Sequence, residues 1–101
     1  MREEIKERKI EALAKKLLVA GDLTRLKILC LIFDDKKACV SEIAKKLDMS
    51  VAIVSHHLQC LARAGLLEPN REGKLVCYSL VKSRFNADLK NFICRNKQEK
   101  I

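Results

Sequence analysis

The chain has 101 residues and a formal net charge of +8, with 49% apolar and 34% charged residues. That length makes a single domain, 1–101, the expectation, and the apolar share excludes wholesale disorder. No apolar run is long enough to span a bilayer, and the charged start MREEIKERKIEALAKK does not read as a signal peptide, so a cytoplasmic protein without a membrane partner is expected.

From Glu3 to Val19, Ile10, Leu13, Ala14, Leu17 and Leu18 share one face of an amphipathic helix. Gly21 ends it, and Asp22 is placed to cap a second helix, Leu23 to Phe33, which is nearly all apolar and so expected to be buried. Asp34 to Lys37 reads as a charged loop. A third helix runs from about Ser41 to Leu47, with Ile43, Ala44 and Leu47 inward. Asp48 and Met49 form a turn, and Ser50 caps a fourth helix, about 50–64, whose inner stripe is Val54, Leu58 and Leu61. Gly65 is its stop. Leu66 to Pro69 reads as a strand, Asn70 to Gly73 as hairpin turn chemistry, and Lys74 to Leu80 as a returning strand with Val76, Tyr78 and Leu80 on one face. A fifth helix starts near Ser83 and carries Phe85, Leu89, Phe92 and Ile93; the polar tail from Asn96 is expected to fray. Four helices, a hairpin from about 66 to 80 and a fifth helix make a mainly α chain with a small β-hairpin. That is the plan of a winged helix-turn-helix, which sets one helix in the major groove of DNA.

The outward face of the fourth helix fits that role. Ser55, His56 and Gln59 offer hydrogen bonds to base edges, and Val51 and Ala52 are small enough to meet thymine methyl groups. Ser50 opens a helix whose first turn directs amide groups at a phosphate. Lys45, Lys46, Arg63, Arg71 and Lys74 are candidate phosphate contacts, supplying affinity that is indifferent to sequence and sensitive to salt. Each of these residues alone would suit a solvated helix face; the order of two helices and a hairpin favours DNA. His57 points away from this face and reads as a satisfied structural histidine. Adjacent helical residues point about 100° apart, so His56 and His57 do not converge on a metal ion.

The phrases DLTRLKILCLI, VSEIAKKLDMSVAIVSHHLQCLARAGLL and REGKLVCYSL, from Asp22 to Leu80, resemble the ArsR/SmtB family of repressors. The resemblance implies a homodimer held by the first and fifth helices, with two reader units about 34 Å apart on a two-fold operator. It also implies repression relieved by an inducer.

Five cysteines, at 30, 39, 60, 77 and 94, are the material for sensing. Their odd number and the lack of any CxxC spacing speak against a disulfide framework, and all five are expected as thiols in a reducing cytosol. Arsenic and lead/cadmium branches of the family carry a CVC motif where this chain has Cys39-Val40-Ser41, so one soft ligand is replaced by a hydroxyl and Cys39 reads as an ordinary, partly buried residue. The zinc and nickel pattern on the fifth helix keeps Asp88 but has no histidine, and a further cadmium/lead pattern on the fourth keeps Cys60 but has Ala64 at its second position. No metal site or cofactor is expected from these patterns. Cys77 reads as structural.

RLKILCLI around Cys30 and LKNFICRN around Cys94 are similar to the BigR/SqrR-like branch, which senses reactive sulfur species through one cysteine in each of these helices. That resemblance implies a persulfide or redox switch at Cys30 and Cys94. The alternatives are a metal-responsive repressor with a different thiolate set, a winged-helix regulator without a cysteine-based inducer, and Cys30 as a small core residue. A purely protein-binding winged helix would lack the basic character seen here. No acid/base pair, glycine loop or cysteine–histidine signature supports an enzyme.

Overall fold

The computed structural model describes residues 2–98, with side chains from Lys6 onward. The elements follow in the order α1 (Arg2–Ala20), α2 (Leu23–Asp35), β1 (Lys37–Cys39), α3 (Val40–Leu47), α4 (Val51–Arg63), β2 (Leu67–Glu72), β3 (Leu75–Leu80) and α5 (Arg84–Asn96). The mainly helical winged helix-turn-helix expected from the sequence is the observed architecture. Residues 99–101 of the polar tail lie outside the described residues.

Three helices begin on side-chain caps that the sequence displays. Asp22 accepts from the Arg25 amide at 3.1 Å, Ser50 from the Ile53 amide at 3.1 Å and Ser83 from the Asn86 amide at 3.1 Å. Each satisfies a donor that the first helical turn leaves without an intrahelical partner. The bond from the Arg25 amide is also the main reason that the Asp22 carboxyl is held below its ordinary range. The reader's turn is made by Asp48, which closes α3 in the left-handed region at φ 53°. Aspartate tolerates that conformation better than most side chains. Gly65 follows α4 at φ 83°, where a side chain would be strained.

The core is one cluster. Ile28, Leu29 and Ile32 of α2, Ile43 of α3, and Val54, Leu58 and Leu61 of α4 are almost completely buried, together with Leu66 and Leu67 after α4. Each such side chain contributes about 1.5–3 kcal/mol of transfer free energy. The cluster fixes α3 and α4 relative to each other, and so sets the posture of the reader helix.

Two sequence expectations are corrected. Lys37 is not the end of a loop: Lys37–Cys39 is a strand that pairs antiparallel with β3, giving a three-stranded sheet in the order β1-β3-β2. β3 is therefore central, and Cys77 is buried along with Tyr78, which breaks the simple alternation expected of an outer strand. The first strand of the wing also runs further than expected, and the turn is shorter. β2 continues through Asn70, Arg71 and Glu72, which pair with Cys77, Val76 and Leu75. The turn itself is Gly73-Lys74, with Gly73 at φ 63° as the first residue of a two-residue hairpin loop requires.

Asn86 fastens α5 to this body. It is fully buried, and its Nδ2 donates to the carbonyls of Val81 at 2.8 Å, Gly65 at 3.3 Å and Leu66 at 3.5 Å. Its Oδ1 is buried without a hydrogen-bond partner among the described residues. Lys16 of α1 lies over the Phe85 ring of α5 at 5.1 Å, tying the two end helices together. Outward from them, Ile10, Leu13, Leu17 and Leu18 of α1, Leu23 of α2 and Phe92 of α5 remain exposed.

Candidate nucleic-acid interface and cysteine sites

The outer face of α4 and the wing converge on one cleft of about 590 Å³. Val51, Ser55 and Gln59 of α4 form one side, and Arg71, Lys74 and Leu75 of the wing form another. This brings together five of the residues singled out for DNA. Ser50, Ala52 and His56 are exposed on or beside the same helix, and Lys45 and Lys46 are exposed on α3. Gln59 Nε2 donates to Ser55 Oγ at 3.3 Å, a local bond that orients both polar groups. Ser41 and Leu75 also border the cleft, which the periodicity of α3 and the wing does not reveal.

The cations divide into engaged and available groups. Lys46 pairs with Asp35 at 3.2 Å, and Arg63 donates to Cys60 Sγ at 3.4 Å. Among the described residues, no ion pair engages Lys45, Arg71 or Lys74. The wing cations therefore meet an anion without first breaking an internal bridge. Exposed pairs such as Lys46–Asp35 are worth at most about 1 kcal/mol, so exchange with a phosphate is cheap there too.

His56 Nε2 lies 3.7 Å from Cys60 Sγ, while His57 is half-buried. The His57 Nδ1 is buried without a hydrogen-bond partner among the described residues, which corrects the expectation that this histidine is satisfied. The two imidazole centroids are 6.0 Å apart and share no ligand geometry.

Cys30 on α2 and Cys94 on α5 are both half-buried against the core, on two helices that touch. Burial pushes the Cys30 thiol above its ordinary range; Lys97 opposes this, whereas Cys94 and Asp34 add to it. Cys39 and Cys77 correct the expectation of five thiols: they stand opposite each other in the β1–β3 ladder and are joined as a disulfide. Glu72 Oε2 lies 3.6 Å from Cys77 Sγ, a contact without a proton between them because the disulfide sulfur carries none, and Glu72 Oε1 is paired with Lys37.

Among the described residues no helix is long and apolar enough to cross a membrane. Residues 22–68 match the family described as bacterial regulatory protein, arsR family. The cadmium resistance transcriptional regulatory protein CadC of Listeria innocua is 40% identical over 60 residues, 59% of this chain and 50% of that protein. The match thus spans about half of that relative's length. A regulator of the HTH type from Methanocaldococcus jannaschii, MJ1325, is 34% identical over 82 residues, 81% of this chain and 92% of that protein. Among solved structures, HlyU from Vibrio cholerae superposes with a TM-score of 0.82 at 27% identity, over 92% of this chain and 99% of that one. Another structure of that protein, described as reduced HlyU, gives the same TM-score of 0.82 at 26% identity, over 95% of this chain and 99% of that one. The homodimeric winged helix-turn-helix DNA-binding domain of Mb0332 from Mycobacterium bovis gives 0.81 at 26% identity, over 95% of this chain and 87% of that one. Sequence and fold agree through the same helices, and the chain belongs to the arsR family of bacterial regulatory proteins.

Proposed function

We propose that this protein is a cytoplasmic, homodimeric repressor, a single winged helix-turn-helix unit per chain, that binds a two-fold DNA operator and releases it when Cys30 and Cys94 are joined by reactive sulfur. The observation that carries the DNA reading is the cleft between α4 and the wing, which pairs base-reading groups, Ser55 and Gln59, with the cations Arg71 and Lys74. Ser50, Val51, Ala52 and His56 extend the reading face, while Lys45, Lys46 and Arg63 add phosphate contacts. The names of the relatives, regulators of transcription in each case, support the same reading.

Duplexes enriched from a random pool provide the probe. Lys74→Gln should weaken binding to all of them alike and reduce the dependence of log affinity on log salt by about one unit. Gln59→Ala should cost about 1–3 kcal/mol against the enriched sequence and relax preference at one position of each half-site. Equal losses on specific and random duplexes for Gln59→Ala would remove it from the reading set.

The thiol reading rests on the contact between α2 and α5, which carry Cys30 and Cys94, and on both thiols being half-buried against the same core. With the trisulfide of a small thiol as donor, the Cys94 thiolate attacks the central sulfur and displaces one small thiolate. The Cys30 thiolate then attacks that same central sulfur and displaces the second. The product is a trisulfide between the helices; the two protein thiols lose two electrons, and the donor gains them as two thiolates. One inserted sulfur relaxes the approach of about 7 Å that a direct disulfide demands of the Cα atoms. Burial disfavours the Cys30 thiolate, so the step that needs it should accelerate as pH rises. Intact-mass measurement should find a gain of one sulfur less two hydrogens, abolished in Cys30→Ser and in Cys94→Ser. Retention of that mass in either variant would place the bridge elsewhere.

A further inference from the structure

Cys39, Cys77 and Glu72 form a cluster that the DNA reading and the Cys30–Cys94 pair leave unused. Their ligand atoms all lie within 4.8 Å of one another, with Cys39 and Cys77 buried and Glu72 exposed. We propose that, once its disulfide is reduced, this cluster is a binding site for a soft or borderline divalent cation, held by two thiolates and one carboxylate where β1 meets the turn-proximal part of the wing.

The backbone brings the ligands together from three strands. Cys39 ends β1 and is registered against Cys77 of the central strand β3, so the sulfurs face each other whether or not they are bonded. Glu72 closes β2 and sends Oε2 to Cys77 Sγ at 3.6 Å. Its other oxygen, Oε1, is held by Lys37, which orients the carboxylate and leaves Oε2 to meet a cation. Two thiolates and a carboxylate carry three negative charges; a divalent cation and the Lys37 ammonium offset them. Sulfur ligands select zinc, cadmium or lead over magnesium or calcium. Ligands about 2.0–2.3 Å from a tetrahedral ion stand less than 4 Å apart, so the two sulfurs must move apart from their bonded positions once reduced, while the Glu72 oxygen stays close. The exposed side, at Glu72, leaves the fourth position to water.

Loading follows reduction in a balanced sequence. One small thiol attacks the Cys39–Cys77 bond and forms a mixed disulfide; a second removes the first as a small-molecule disulfide. Two electrons and two protons then reside on Cys39 and Cys77. The cation displaces both thiol protons to solvent and takes the Glu72 oxygen. Disulfide and metal are thus mutually exclusive ties between β1, which leads directly into α3, and the wing. The site shares no residue with the Cys30–Cys94 pair and stands or falls independently of it.

The test uses the full chain carrying Cys30→Ser, Cys60→Ser and Cys94→Ser, reduced with a phosphine, and cadmium ion alone as probe. The expected result is one cadmium per chain with a thiolate-to-metal charge-transfer band, absent before reduction. Adding Cys77→Ser, or independently Cys39→Ser, should weaken binding by about 100-fold or more, and Glu72→Gln by about 10-fold with the band retained. In the unsubstituted reduced chain, cadmium should slow alkylation of both Cys39 and Cys77, read by peptide mass, which covers the case of a variant that fails to fold. No band, undiminished affinity after Cys77→Ser or Glu72→Gln, or alkylation rates at Cys39 and Cys77 that ignore cadmium would overturn the site.

Discussion

Leu17→Glu is expected to halve the mass of the protein in solution and to lower its affinity for a two-fold duplex by about 10²- to 10⁴-fold, the advantage that linking two binding modules confers. The reason lies in what a single chain leaves uncovered. Ile10, Leu13 and Leu17 follow one another at helical spacing on α1, and they are 63%, 43% and 51% exposed. Leu18, Leu23 and Phe92 add to this apolar surface at 78%, 68% and 57% exposure. A run of large apolar groups on neighbouring helices marks an association surface, whereas scattered ones need no explanation. In a two-fold interface each substitution acts twice, removing about 1.5–3 kcal/mol of burial per side and adding an unpaired charge. The isolated chain leaves about half of Leu17 exposed, so its own melting should change less than its mass. Light scattering and a DNA titration on the same sample separate the two effects. A variant that stays dimeric and binds as tightly would put the interface elsewhere.

Asn86→Asp is the second large effect and keeps nearly the same shape. At neutral pH it should cost about 3 kcal/mol or more of stability, because a buried charge replaces a donor that serves three carbonyl oxygens. The sign with pH follows from burial. The introduced carboxylate is disfavoured in the native state, so its native pKa lies above the unfolded value of about 3.9. Between those two values the native state holds more protons than the unfolded one, and stability falls as pH rises. Relative to the unsubstituted protein, the deficit should therefore be largest at neutral pH and shrink as pH falls toward 4. Asn86→Leu provides the control: it should cost about 2–3 kcal/mol with no such pH trend. Parallel urea titrations at pH 4.5 and 7 check both, and a pH-independent deficit in Asn86→Asp would contradict the stated packing of α5.

Much of this architecture is legible in the residues. Asp22, Ser50 and Ser83 announce three helix starts, and Gly65 announces the end of the reader helix, because capping and positive φ are local demands. The reader face is legible for the same reason: Val51, Ser55 and Gln59 fall on one side by helical spacing. β1 is not legible. Three residues carry no usable period, and Cys39 meets a partner 38 positions away. Without β1, β3 looks like an outer strand, Cys77 looks isolated, and the cluster with Glu72 has no visible basis. The wing turn misleads in another way. Asn70 to Glu72 have turn-forming chemistry, yet pairing with β3 extends them, and Gly73 alone supplies the required backbone conformation. Asn86 gives no warning either, since a buried asparagine is defined by the carbonyls of other elements.

Control of DNA binding by Cys30 and Cys94 is tested most directly by one titration: anisotropy of an enriched two-fold duplex against the protein before and after complete reaction with a small-thiol trisulfide, confirmed by mass. The expected result is a loss of affinity of about tenfold or more, a coupling of the size usual between two sites, and full recovery after reduction. Unchanged affinity in protein that carries the Cys30–Cys94 bridge would contradict it.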